Sequence, residues 1–120
     1  MSTKGWGKTT LDTRGRPRVL ESSLQSATEA ELDRLQATGA ILDYYHRPDG
    51  APRRRGQERA GVPDLIIAVR DDLVLAIELK SATGRLTKWQ RFWLQAFGTR
   101  GCVCRSIDEV RDFLGKWGVR

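Results

Sequence analysis

Residues 61–80 read GVPDLIIAVRDDLVLAIELK, and the fold turns on how this stretch is understood. Two apolar runs, LIIAV (65–69) and LVLAI (73–77), are rich in Val, Ile and Leu and show no polar alternation. That pattern predicts strands buried on both faces, in the middle of a sheet. Arg70-Asp71-Asp72 between them predicts a hairpin turn. Polar chemistry stands at the tips: Pro63-Asp64 opens the first run, and Glu78-Leu79-Lys80 closes the second.

A hairpin centred on Asp71 with a three-residue loop pairs residues equidistant from that centre, so Asp64 falls opposite Glu78. Cross-strand Cβ atoms lie roughly 4.5–5.5 Å apart, and like charges facing each other are destabilising. Burial adds to the penalty by disfavouring the charged form. A shared proton, a basic neighbour or a metal ion must offset it. Lys80, two residues past Glu78, projects from the same face and can neutralise one charge. Carboxylate oxygens, joined by a backbone carbonyl, suit a hard cation such as Mg²⁺ or Mn²⁺. The plainer reading is a pair of solvated strand-end acids with Lys80 in a surface ion pair.

The rest of the chain bounds the function. A length of 120 residues fits one domain with one modest core. Apolar content of 39% is too high for a disordered chain. No apolar run reaches the ~20 residues of a membrane span, and the first residues lack the apolar stretch of a secretory signal. The expectation is an intracellular (cytoplasmic) protein. A net charge of +6 favours polyanions, of which nucleic acid is the commonest inside cells. Cys102 and Cys104 share one face of a strand; with one histidine in the chain, they read as reduced core residues rather than metal ligands.

Residues 1–18 read as a flexible basic arm, and 19–120 as a single domain. Gly7-Lys8-Thr9 is not a phosphate-binding loop, because Ser2 stands where that motif needs glycine. Leu20, Leu24, Ala27, Leu32 and Leu35 predict a helix over 19–38, stopped by Gly39. Residues 40–45 (AILDYY) predict a short strand. The basic loop APRRRGQERAG follows. A second helix spans about 86–97, its apolar face carrying Leu86, Trp89, Trp93, Ala96 and Phe97, with a capping box from Thr87 to Gln90. CVCR (102–105) predicts a strand, and Ser106 to Glu109 a second capping box opening a last helix through about Leu114. The order is helix, three strands, helix, strand, helix.

Pro63-Asp64 followed by Glu78-Leu79-Lys80 resembles the PD-(D/E)XK nuclease superfamily. Within it, GVPDLI and AIELKSATGRLTKWQRFWLQAFGTRGCVCRSIDEV are similar to the VRR-NUC (virus-type replication-repair nuclease) family, over roughly residues 21–114. The resemblance implies an α/β, restriction-endonuclease-like αβββαβ core, with a central mixed sheet flanked by helices. It implies a Mg²⁺-dependent endodeoxyribonuclease in which Mn²⁺ can substitute, with Asp64, Glu78 and the Leu79 carbonyl as metal ligands. Lys80 would orient the attacking water and stabilise charge in the transition state. A first-helix glutamate would join them: Glu21 is preferred, with Glu31 and Glu29 as alternatives. Gln90 would lie near the site, in competition with its capping role. Arg53, Arg54, Arg55 and Arg59 would grip DNA phosphates, and His46 lies where family members approach the site. Stand-alone members suggest a homodimer cutting branched DNA, flaps or four-way junctions, with Trp89, Trp93, Trp117 or the first helix as interface, although Trp89 and Trp93 read better as core. Alternatives are a non-catalytic nucleic-acid-binding protein on the same scaffold and a restriction-type enzyme. Phage replication, recombination and repair are all compatible settings.

Overall fold

A computed structural model of the chain describes residues 21–47 and 61–120, Glu21 by its backbone only, together with a short antiparallel ladder between Thr10–Leu11 (β1) and Pro17–Arg18 (β2). The remainder of the basic arm and the loop arginines Arg53, Arg54, Arg55 and Arg59 lie outside the described residues.

The first helix, α1, runs Glu21–Ala37. Leu24, Leu32 and Leu35 of its expected stripe are buried. Thr28 is buried among them because its hydroxyl donates to the Leu24 carbonyl at 2.8 Å, leaving no polar atom unpaired. Gly39 ends the helix as expected. At φ +84 it lets the amides of Gly39 and Ala40 reach back to the carbonyls of Gln36 (3.1 Å) and Leu35 (2.8 Å), the double closure of a Schellman motif.

Four strands make one sheet in the order β3-β4-β5-β6: β3 is Asp43–His46, β4 Leu65–Arg70, β5 Leu73–Leu79 and β6 Gly101–Cys104. The first three pair antiparallel and β6 joins β5 in parallel, so the sheet is mixed, with the two apolar runs at its centre. Helices α2 (Lys88–Phe97) and α3 (Ile107–Lys116) complete the chain. The element order is the αβββαβ core expected of a restriction-endonuclease-like fold, closed by α3.

The register is the expected one, reached by a different turn. Leu65 faces Ile77, Ile66 faces Ala76 and Ile67 faces Leu75, so residues equidistant from Asp71 do pair. The connection, however, is a two-residue turn at Asp71-Asp72 rather than a three-residue loop, since Arg70 pairs with Leu73. A bulge between Ala68 and Arg70 absorbs the extra residue. Asp72 sits at φ +63, a conformation that aspartate tolerates better than most side chains.

The two faces of the sheet are covered unequally. Leu65, Ile67, Leu75, Ile77, Leu79 and Cys104 point into a core shared with Leu24, Leu32 and Leu35 of α1 and Val110, Phe113 and Leu114 of α3. The opposite face receives α2, where Gly101 lies beside Ala76. A Cβ at Gly101 would come within 2.9 Å of the Phe97 Cβ, so these small residues let the helix sit close. Its cover is partial: Ile66 and Ala68 are half-buried, and β4 therefore alternates where burial on both faces was expected. The first strand is shorter than AILDYY, because Ile41 turns into the core and Leu42 is exposed before pairing begins at Asp43. Ser106 accepts from the Glu109 amide at 3.1 Å, but the Glu109 carboxylate takes the Arg105 amide (2.7 Å), so only half of the second capping box forms.

Candidate active site

Asp64 immediately precedes β4, and its carboxylate reaches across to accept from the Leu79 amide at 2.8 Å. Its own carbonyl accepts from the Arg47 amide at 2.9 Å, so the residue is held from both neighbouring strands. Glu78 lies on the α2 face of β5, one step beyond the last ladder pair, and is 3% exposed. Burial first, then the Asp64 charge, push its carboxyl up to about 8, while Lys80 pulls the other way. Side-chain hydrogen bonding toward Asp64 adds to the rise. Two acids therefore meet at the mouth of the central strands, and among the described residues the neighbouring groups do not neutralise both.

Lys80 lies on the expected face, with Nζ 4.0 Å from Glu78 Oε2. This distance is the outer limit of an ion pair, so the ammonium stands near Glu78 without a tight bond to it. Its amide donates to the Cys104 carbonyl, fixing the end of β5 to β6. Gln90 performs both roles that competed for it. Its Oε1 accepts from the Thr87 amide at 2.8 Å and closes the capping box, while Nε2 donates to Glu78 Oε2 at 3.0 Å. The cap holds the side chain in the rotamer that delivers the second bond.

The loop leading into Asp64 is pinned to the same helix. Gly61 has φ +108, and a Cβ there would lie 2.6 Å from the Trp89 carbonyl carbon and 2.8 Å from its oxygen. Gly61→Ala meets both a forbidden backbone region and a backbone clash, and it is expected to lower unfolding stability by about 2 kcal/mol or more. Urea denaturation tests this. A midpoint indistinguishable from the wild type would mean that the loop does not approach α2 so closely.

The first-helix glutamates separate. Glu31 faces α3, where Arg34 (2.6 Å) and Arg111 (3.7 Å) pair with it and hold its carboxyl below the usual range. Its place in the apolar stripe is thus a satisfied ion pair between helices, away from Asp64 and Glu78. Glu29 accepts from Gln25 and lies 3.4 Å from His46 Nδ1, at the strand end opposite Leu65. The backbone of Glu21 opens α1; its side chain is outside the described residues. Among the described residues, no third histidine, cysteine or acid clusters with the pair to make a ligand set of three.

Two further features escape a reading of the sequence. Arg105, just past β6, donates through Nη1 to the carbonyls of Ser81 (2.8 Å) and Gly84 (2.6 Å), bracing the loop after Lys80. Nothing local announces this bond across more than twenty residues. The assignment of Trp89 and Trp93 to the core is corrected: α2 buries no residue completely, and the rings are 40% and 43% exposed. Trp117, by contrast, packs against the core. Cys104 is buried and Cys102 half-buried, with thiols 3.8 Å apart and both free.

Compared with known families, residues 20–107 match the VRR-NUC domain, most of the chain. No curated protein and no solved structure matches the chain. Among the described residues, no helix is long and apolar enough to cross a membrane.

Proposed function

The chain belongs to the VRR-NUC family, and on that premise we propose that this nuclease domain is a Mg²⁺- or Mn²⁺-dependent DNA endonuclease that selects branched structure over base sequence. The observation that carries the metal requirement is the state of Glu78. A carboxyl 3% exposed and raised to about 8 beside a second carboxylate is, among the described residues, an incompletely compensated charge pair. Hard oxygen donors in that state fit a hard divalent cation. Asp64 and Glu78 would hold it, with the Leu79 carbonyl and Glu21 as the further ligands the family resemblance implies.

A bound cation supplies neutralisation at the phosphate and a water acidic enough to attack at neutral pH. The chain's own groups do the rest. Leu79 N–H and Gln90 Nε2 each hold one carboxylate in place, so the pair is oriented before substrate arrives. Lys80 is positioned to orient the attacking water and to stabilise charge growing on the transferring phosphate. Arg53, Arg54, Arg55 and Arg59 are assigned to the flanking phosphates as a sequence-independent grip. A homodimer suits paired cuts across a junction, because a two-fold axis presents two equivalent sites. The half-open sheet face, with Tyr45 and Val74 exposed beside Ile66 and Ala68, is the surface we assign to that contact.

A panel of labelled substrates tests this reading: single strand, duplex, flap, fork and four-way junction, each with Mg²⁺, Mn²⁺ or EDTA. Cleavage of branched substrates that needs a divalent cation is expected. Binding without cleavage under every condition would make the chain a non-catalytic binder, and discrete bands from an ordinary plasmid would make it a restriction-type enzyme.

A further inference from the structure

Three large aromatic side chains stand half in water on one ten-residue helix that buries none of its residues completely: Trp89, Phe92 (53% exposed) and Trp93. Single exposed apolar residues need no explanation, but a cluster of this size does. Its location is specific. The Trp89 backbone is wedged against Gly61, three residues before Asp64, and the next side chain, Gln90, is bonded to Glu78. Trp93 is one turn along the same side of the helix. The platform is therefore built onto the same two pieces of chain that set the carboxylate pair.

We propose that Trp89, assisted by Trp93, stacks on an unpaired nucleobase next to the phosphate being cut. This inference rests on the nuclease reading above and supplies a physical source for selecting branched over fully paired DNA. Every base has a π-face, so an indole accepts any unpaired base, whereas a base inside a duplex already has both faces covered.

Charge decides between a nucleic acid and a second copy of the chain as the occupant. From Ser81 through Cys104 the sequence holds Arg85, Lys88, Arg91 and Arg100 and no acid. A two-fold contact through this helix would set cation against cation, while a strand of phosphates meets complementary charge. Lys88 Nζ already lies over the Trp89 ring, 5.1 Å from its centroid. An arriving base takes a ring face as that ammonium moves to a phosphate. Phe92 meets Trp89 edge-on, with centroids 5.5 Å apart and planes at 80°, and supports the ring without stacking on it.

The test uses the full chain carrying Asp64→Asn, with oligonucleotides labelled by 2-aminopurine as single strand, flap and blunt duplex. Trp89→Ala is expected to cut the preference for single strand and flap over duplex by about tenfold, within the range known for base–aromatic stacking, and to abolish the quenching of 2-aminopurine. Trp93→Ala should act in the same direction but more weakly, and Trp89→Phe should restore most of the preference. An unchanged preference in folded Trp89→Ala and Trp93→Ala overturns the proposal. So does an equal loss on all three substrates, or a loss traced by light scattering to a dimer becoming a monomer. Cleavage by the otherwise wild-type chain is scored separately. A chain that stacks bases but never cuts removes the nuclease reading and leaves the platform, whereas a chain that cuts flaps equally well without Trp89 removes only the platform.

Discussion

Asp64→Asn is expected to lower cleavage by roughly a thousandfold or more while leaving DNA binding within a few-fold, because it removes a charge and keeps a shape. The asparagine side-chain oxygen can still accept the Leu79 amide that Asp64 accepts at 2.8 Å, so the junction of β4 and β5 keeps its geometry. What disappears is one of the two negative charges available to a cation. With that charge gone, the second-largest cause of the raised Glu78 carboxyl also goes, and Glu78 should titrate nearer its ordinary value. The loss therefore falls on the chemical step and not on the fold. Single-turnover cleavage measures the first effect, and fluorescence anisotropy at one fixed salt concentration measures the second, since phosphate contacts make any affinity salt-dependent. Cleavage that survives in this variant means that Asp64 is not part of the machinery or that the activity comes from a contaminant. A parallel collapse of binding and melting temperature would instead make Asp64 a structural bracket between strands.

The register of the central hairpin was legible although its turn was not. Hydrophobic runs of equal length fix which residues face each other, since a one-residue slip would turn every buried side chain outward. The turn carries no such constraint, and the chain uses a bulge after Ala68 with Asp72 at positive φ to arrive at the same pairing. Periodicity likewise identified which side chains of α2 share a face, but it carries no information about what covers that face. Trp89 and Trp93 have the spacing of core residues, yet the helix crosses only part of the sheet and leaves them exposed. From the sequence, Gln90 has two competing places, the cap and the active site. An amide has an acceptor at one end and a donor at the other, and the structure uses both.

The choice among the first-helix glutamates was the least legible part, for a reason that sequence spacing cannot supply. Glu31 is anomalous inside an apolar stripe, and its explanation is Arg34, one turn along the same helix, joined by Arg111, eighty residues downstream on α3. A long-range ion pair leaves no local signature. Glu29 is engaged by Gln25 and His46. The position favoured by the resemblance, Glu21, opens α1 and shares one side of the helix with Gln25 and Glu29 through steps of four residues.

Glu78 predicts how the stability of the metal-free protein depends on pH. Its carboxyl is raised to about 8 in the folded chain from an ordinary value of 4.5. Between those values the folded state keeps a proton that the unfolded state has released. Stability from this group is fully present below about pH 4.5 and is lost as pH rises through about 8. Over that interval the loss amounts to a few kcal/mol in all. For a domain of this size, the melting temperature in EDTA should fall by roughly 10 °C between pH 5 and 8.5. Glu78→Gln should flatten most of that slope, since an amide has no proton to lose, and Asp64→Asn should flatten part of it. A divalent cation should reverse the loss by binding the folded state alone, and more strongly at higher pH because binding must displace the proton. Scanning calorimetry across this range, with and without Mn²⁺, reads both effects. An equally steep slope in Glu78→Gln would assign the pH dependence to other groups. A metal-induced rise that persists unchanged in the Asp64→Ala, Glu78→Ala double variant would place the cation elsewhere on the protein.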